Sequence, residues 1–117
     1  MRNDERIRRV EFIDAGMFDA YKKLCKGSFE EKQLAEQIER VIDELKKNPL
    51  LGVIVPRDLW PKEYVKRYSI TNLRKYDLPK GWRLIYTLVG NEVEIISIIL
   101  EWFDHKGYAL RFGYKKR

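Results

Sequence analysis

Residues 82–101 read Trp82-Arg83-Leu84-Ile85-Tyr86-Thr87-Leu88-Val89-Gly90-Asn91-Glu92-Val93-Glu94-Ile95-Ile96-Ser97-Ile98-Ile99-Leu100-Glu101. Two runs rich in β-branched and aromatic residues flank Gly90-Asn91, a dipeptide suited to a two-residue hairpin. A turn there predicts the pairs Val89 with Glu92, Thr87 with Glu94, Ile85 with Ile96 and Arg83 with Ile98. Side-chain alternation then puts Trp82, Leu84, Tyr86, Leu88, Val93, Ile95, Ser97 and Ile99 on one face, with Arg83, Ile85, Thr87, Glu94, Ile96 and Ile98 on the other. The first face is assigned to helices. Residues 95–100 are apolar on both faces, so their strand is expected to be central, with something covering part of the second face as well.

Upstream, residues 68–76 have strand composition and connect to the hairpin through Asp77-Leu78-Pro79-Lys80-Gly81. Near the N-terminus, Arg8-Arg9-Val10-Glu11-Phe12-Ile13 reads as a first strand. Met17, Phe18, Tyr21 and Leu24 then recur at helical steps, which predicts a helix over 15–25. Ser28 and Glu31 have the spacing of a capping box, and Leu34, Ile38, Val41, Ile42 and Leu45 continue a helical stripe to Lys47, where Asn48-Pro49 ends it. Leu50-Leu51-Gly52-Val53-Ile54-Val55-Pro56 reads as an apolar bridge, and Pro61-Lys62-Glu63-Tyr64-Val65-Lys66-Arg67 as a short helix or turn opened by proline. Cys25, Trp82 and Tyr86 are expected in the core. The fold class is α+β: two N-terminal helices packed on a small, mainly antiparallel, twisted sheet, in one domain spanning 1–117. Residues 114–117 are expected to be disordered when free.

With 44% hydrophobic and 36% charged residues, the chain has the composition of a folded protein and not of a disordered tail. No apolar run approaches the roughly 20 residues of a membrane span, and Met1-Arg2-Asn3-Asp4-Glu5-Arg6 lacks a secretory hydrophobic segment, so a cytoplasmic location is expected. A single cysteine excludes an internal disulfide. Basic and acidic residues balance through Leu59, so the whole net charge of +6 falls in the second half. That asymmetry suits a polyanionic partner, nucleic acid or an acidic protein segment.

Arg83 stands between Trp82 and Leu84 within a strand, and a guanidinium there needs a partner. A bridge to Glu94 or Glu101 would satisfy it; so would the phosphate of a substrate, held by its fork of donors. His105 is the one side chain that titrates near neutrality without perturbation. Lys106 adjoins it, Tyr108 lies three residues on, and Asp104 is placed to orient the ring. RNA cleavage needs a base at the 2′-hydroxyl, charge stabilisation on the phosphoryl oxygens and an acid at the leaving 5′-oxygen. His105 or Tyr108 can exchange protons, while Arg83 supplies charge. Lys66, Arg67, Arg74, Lys75, Lys80, Lys106 and Arg111 are interleaved with Tyr64, Tyr68, Tyr76, Trp82, Trp102 and Tyr108, a pattern suited to following phosphates and stacking bases of single-stranded RNA. One histidine and one cysteine give no metal-ligand spacing, and there is no phosphate-binding glycine loop, so neither metal nor cofactor is expected.

The order strand, two helices, C-terminal sheet, together with Gly81-Trp82-Arg83-Leu84-Ile85-Tyr86 and the terminal His105-Lys106-Gly107-Tyr108, resembles the RelE/ParE superfamily of type II toxin–antitoxin toxins. The terminal motif is similar to the His-Lys-x-Tyr ending of HigB-type members. The resemblance implies a RelE-like mRNA interferase that enters the ribosomal A site and cleaves mRNA without a metal. It implies Arg83 as the transition-state phosphate binder, His105 or Tyr108 as acid/base, and Arg74, Lys75, Lys80 and Lys106 as substrate-binding candidates. It also implies a cognate antitoxin that wraps the protein, which is expected to be monomeric when free. ParE-like members act on gyrase instead, and some relatives have lost activity, so a noncatalytic protein that binds gyrase, antitoxin or RNA is the alternative.

Overall fold

The computed structural model describes residues 5–113. The elements are β1 (Ile7–Phe12), α1 (Ala15–Cys25), α2 (Phe29–Lys47), β2 (Val53–Ile54), α3 (Lys62–Tyr68), β3 (Arg74–Asp77), β4 (Arg83–Gly90), β5 (Glu94–Phe103) and α4 (His105–Phe112), with 3-10 turns at Arg57–Leu59 and Pro79–Gly81. The strands form one sheet in the order β1-β5-β4-β3-β2. β1 runs parallel to β5 and the other pairs are antiparallel, so the fold is α+β with a mixed sheet and β5 in its interior.

The N-terminal helices form where expected. Ser28 Oγ accepts from the Glu31 N–H (3.2 Å) and Glu31 Oε1 from the Ser28 N–H (2.8 Å), which satisfies two of the donors left open at the start of α2. Its stripe Leu34, Ile38, Val41 and Leu45 packs with Leu84, Tyr86 and Ile99 in one core, against which Val10, Phe12, Tyr21, Trp82, Leu88 and Trp102 also lie. Tyr86 is fully buried there, donating its hydroxyl to the Pro49 carbonyl (2.7 Å) and accepting from the Gly52 N–H (2.9 Å). Trp82 is only partly buried. Cys25 is exposed at the end of α1, contrary to the expectation that it fills the core, because the apolar stripe of that helix turns inward at Tyr21 and Leu24.

The hairpin forms with a different register. Val89 pairs with Ile96, Thr87 with Ile98 and Tyr86 with Ile99. The turn centres on Glu92-Val93: Asn91 Oδ1 accepts from the N–H groups of Val93 (2.7 Å) and Glu94 (3.0 Å), a local bond that asparagine side chains favour. Gly90 serves a different purpose, since a Cβ there would lie 2.9 Å from the Glu94 carbonyl oxygen and 3.2 Å from Ile95 Cα. Moving the turn by two residues shifts the pairing by an even step, so the expected faces survive. They hold until a bulge between Ile85 and Tyr86, where Ile85 pairs with Glu101 and Tyr86 with Ile99, leaving Leu100 as an extra residue in β5. Beyond it, Trp102 joins the helix-side core while Leu100 and Phe103 join the other.

The second face has its own core of Val55, Tyr64, Ile70, Leu73, Ile85, Leu100, Tyr108 and Phe112. The required cover is therefore α3 and α4, and α4 was not expected. Asp104 caps it, accepting at Oδ1 from the Gly107 N–H (2.7 Å), and Gly113 ends it at φ +69°. The strand expected over 68–76 is mostly something else: α3 runs through Tyr68 and stops at Ser69 (φ 52°), Ile70 and Leu73 turn into the core, and pairing begins only at Arg74. The apolar bridge yields the short edge strand β2. The expectation of disorder over 114–117 lies outside the described residues. No helix among the described residues is long and apolar enough to cross a membrane.

Candidate active site

Arg83 opens β4 on the second face of the sheet, opposite Asp77 on β3 and Phe103 on β5. Its Nη1 donates to the Gly81 carbonyl (2.8 Å), its Nε lies 3.7 Å from Asp77 Oδ1, and its guanidinium carbon sits 5.0 Å from the centre of the Tyr108 ring. Neither Glu94 nor Glu101 is its partner, because Glu94 pairs with Arg9 and Glu101 with Arg111. The side chain retains 21% of its surface, and its Nε is buried without a hydrogen-bond partner. The geometry holds a cation in place and leaves it able to bind an anion.

Gly81 links this arginine to the histidine. It adopts φ +82°, a conformation that costs glycine little, and a Cβ added to it would lie 3.8 Å from His105 Cβ. His105 is exposed as the first residue of α4, with exposed Lys106 next to it. Asp104 caps the helix through Oδ1, so the orienting role expected of it is replaced by a helix-starting one. Tyr108, one turn on, is 3% exposed and stacks on Phe112 with ring centres 4.5 Å apart. It lies beneath Arg83, as a support for the guanidinium more than as a group facing solvent.

The expected substrate-binding residues divide. Lys75 shares the second face with Arg83, its Nζ 3.2 Å from Asp77 Oδ1. Asp77 thus sits between two cations, a contact the sequence reading missed although the carboxylate occupies the connection before Pro79. Arg74 does not belong to this group: its Nη1 donates to the carbonyls of Leu50 (3.1 Å) and Gly52 (2.7 Å), securing the segment that leads into β2. Lys80 reaches the α2 side, where Nζ lies 3.4 Å from Gln33 Oε1.

Arg111 likewise leaves the basic stripe. It donates to Glu63 Oε1 (2.5 Å) and Glu101 Oε2 (2.9 Å), while the Tyr64 hydroxyl donates to Glu101 Oε1 (2.5 Å). Burial works against the Arg111 charge, but Glu101, Tyr64 and Glu63 outweigh it and hold its pKa above the ordinary value. Burial, reinforced by the bond to Glu101, pushes the Tyr64 phenol well up. This network ties α3 and α4 to β5 and so places the helix that carries His105 and Tyr108. No metal-binding cluster of His, Cys, Asp or Glu occurs among the described residues. No family model matches the chain, and no curated protein matches it significantly in sequence.

Proposed function

We propose that this protein is the toxin of a type II toxin–antitoxin pair, a member of the RelE/ParE superfamily that cleaves mRNA on the ribosome without a metal. The observation that supports the reading is that Arg83 and His105 both flank Gly81, the first through a bond to its carbonyl and the second with its Cβ 3.8 Å from where a Gly81 Cβ would stand, with Lys75 on the sheet face of Arg83 and Lys106 beside the histidine. Arg83 would stabilise the phosphoryl oxygens as they gain charge. The 2′-hydroxyl oxygen attacks phosphorus, the bond to the 5′-oxygen breaks, and the products are a 2′,3′-cyclic phosphate and a 5′-hydroxyl. His105 exchanges one of the two protons, with the 2′-hydroxyl or the leaving oxygen, and water carries the other. Tyr108 holds Arg83 from below. The partner would be a cognate antitoxin covering this basic face.

Two features favour a second reading, a noncatalytic or ParE-like protein that binds gyrase, antitoxin or RNA: Asp77 draws on the Arg83 charge, and Tyr108 is buried. Repressible expression of wild type, Arg83→Ala and His105→Ala separates the two. Growth arrest with cut transcripts, lost in Arg83→Ala at equal soluble level, is expected; arrest with intact transcripts and altered plasmid supercoiling would favour the gyrase reading.

A further inference from the structure

A second cationic site lies away from Arg83. The segment from Arg57 to Lys66 borders an open, shallow cleft of about 390 Å3 lined by Arg57, Trp60, Lys62, Val65 and Lys66. Its back wall is fixed: Trp60 Nε1 donates to the carbonyl of buried Val55 (2.8 Å), and the Arg57 guanidinium lies over the indole, 4.8 Å from its centre. Pro61 opens α3, whose Lys62, Val65 and Lys66 share one face by helical spacing while Tyr64 turns into the core.

These three cations are not neutralised within the described residues. Among the described residues no ion pair forms at Arg57, Lys62 or Lys66; Glu63, the acid of α3, is committed to Arg111, and Asp58 does not line the cleft. Uncompensated positive charge around a fixed aromatic wall is the composition of a single-strand nucleic-acid subsite. The lining residues all come from one short segment, which gives an open depression wide enough for one base and not a groove long enough for an amphipathic helix.

We propose that this cleft binds one nucleotide of a single-stranded RNA, with the base against the Arg57–Trp60 stack and Val65, and the flanking phosphates on Lys62 and Lys66. This subsite would bind RNA whether or not Arg83 supports cleavage. The test is fluorescence anisotropy with a labelled mixed-sequence RNA octamer over a salt series, using the full chain, Lys62→Gln/Lys66→Gln, Arg57→Gln and Arg83→Ala. The lysine substitutions are on exposed positions, and circular dichroism checks that each variant folds.

Loss of two phosphate contacts is expected to weaken binding about tenfold and to lower the slope of log affinity against log salt by roughly 1.4. Arg57→Gln is expected to weaken binding with a smaller slope change. Wild-type affinity and slope in the double lysine variant would overturn the proposal, including when Arg83→Ala alone abolishes binding. Equal affinity for adenosine monophosphate, for the duplex form of the octamer or for an oligoglutamate peptide would overturn the assignment to single-stranded RNA.

Discussion

Replacing Glu101 with alanine should loosen both helices on the second sheet face. Tyr64 is 2% exposed, and its hydroxyl donates to Glu101 at 2.5 Å. Stranding a buried hydroxyl costs about 1–3 kcal/mol. Arg111 keeps Glu63 and has 31% of its side-chain surface in solvent, so the lost ion pair adds no more than about 1 kcal/mol after screening. The sum, about 1–4 kcal/mol, is a large part of the stability of a domain this size and corresponds to a Tm lower by about 4–16 °C. Thermal and urea denaturation of Glu101→Ala, Tyr64→Phe and the double variant would measure it. Tyr64→Phe removes the stranded donor, so the double variant should recover part of the loss, with a coupling of about 1–2 kcal/mol. Strict additivity, or a Tm within about 2 °C of wild type for Glu101→Ala, would refute the claim that this carboxylate anchors α3 and α4.

Other contacts give three further expected outcomes. Tyr108→Phe keeps the ring under Arg83 and should retain cleavage within about threefold, whereas Tyr108→Leu removes a cation–π contact and should lower it about tenfold; a collapse with Tyr108→Phe would instead make the phenol a proton donor. Gly52→Ala would place a Cβ 2.8 Å from the Tyr86 hydroxyl and 2.9 Å from the Lys75 carbonyl, and should cost about 1–3 kcal/mol in urea denaturation. Burial raises the phenol pKa of Tyr64 and of Tyr86 above the ordinary value of about 10. The folded chain therefore holds these protons more tightly than the unfolded one. Their contribution is full below about pH 10 and falls as the pH rises beyond it, by up to about 1.4 kcal/mol per pH unit for each. Tyr64→Phe should flatten the alkaline decline of Tm, and an unchanged decline would count against a native role for that buried phenol.

Much of the helix-side architecture is legible in the residues because local signals and burial agree there: the Ser28–Glu31 box, the α2 stripe and the alternation of Leu84, Tyr86 and Leu88 all point the same way. The hairpin register was not, since Gly90-Asn91 offers a turn by dipeptide preference while the Asn91 side chain closes one two residues later. The second face was less legible still. Helix α4 carries Asp104 and Gly113 at its ends and an apolar pair, Tyr108 and Phe112, one turn apart, but eight residues give a weak periodicity. In the candidate site, Arg83 and His105 stand out by their chemistry alone. Arg74 and Arg111 could not be separated from substrate-binding cations, because their partners, the Leu50 and Gly52 carbonyls and the Glu63 and Glu101 carboxylates, are distant in sequence.

Arg83, braced on Tyr108 and flanking Gly81 with His105, is proposed to form a nuclease site for mRNA on the ribosome. The most direct test of this proposal is a translating extract supplied with purified protein, wild type beside Arg83→Ala, with cut positions mapped against the reading frame. Cuts in register with codons, present with wild type and absent with the variant, are the expected result. Intact mRNA with unimpeded translation, or equal cutting by Arg83→Ala, would contradict it.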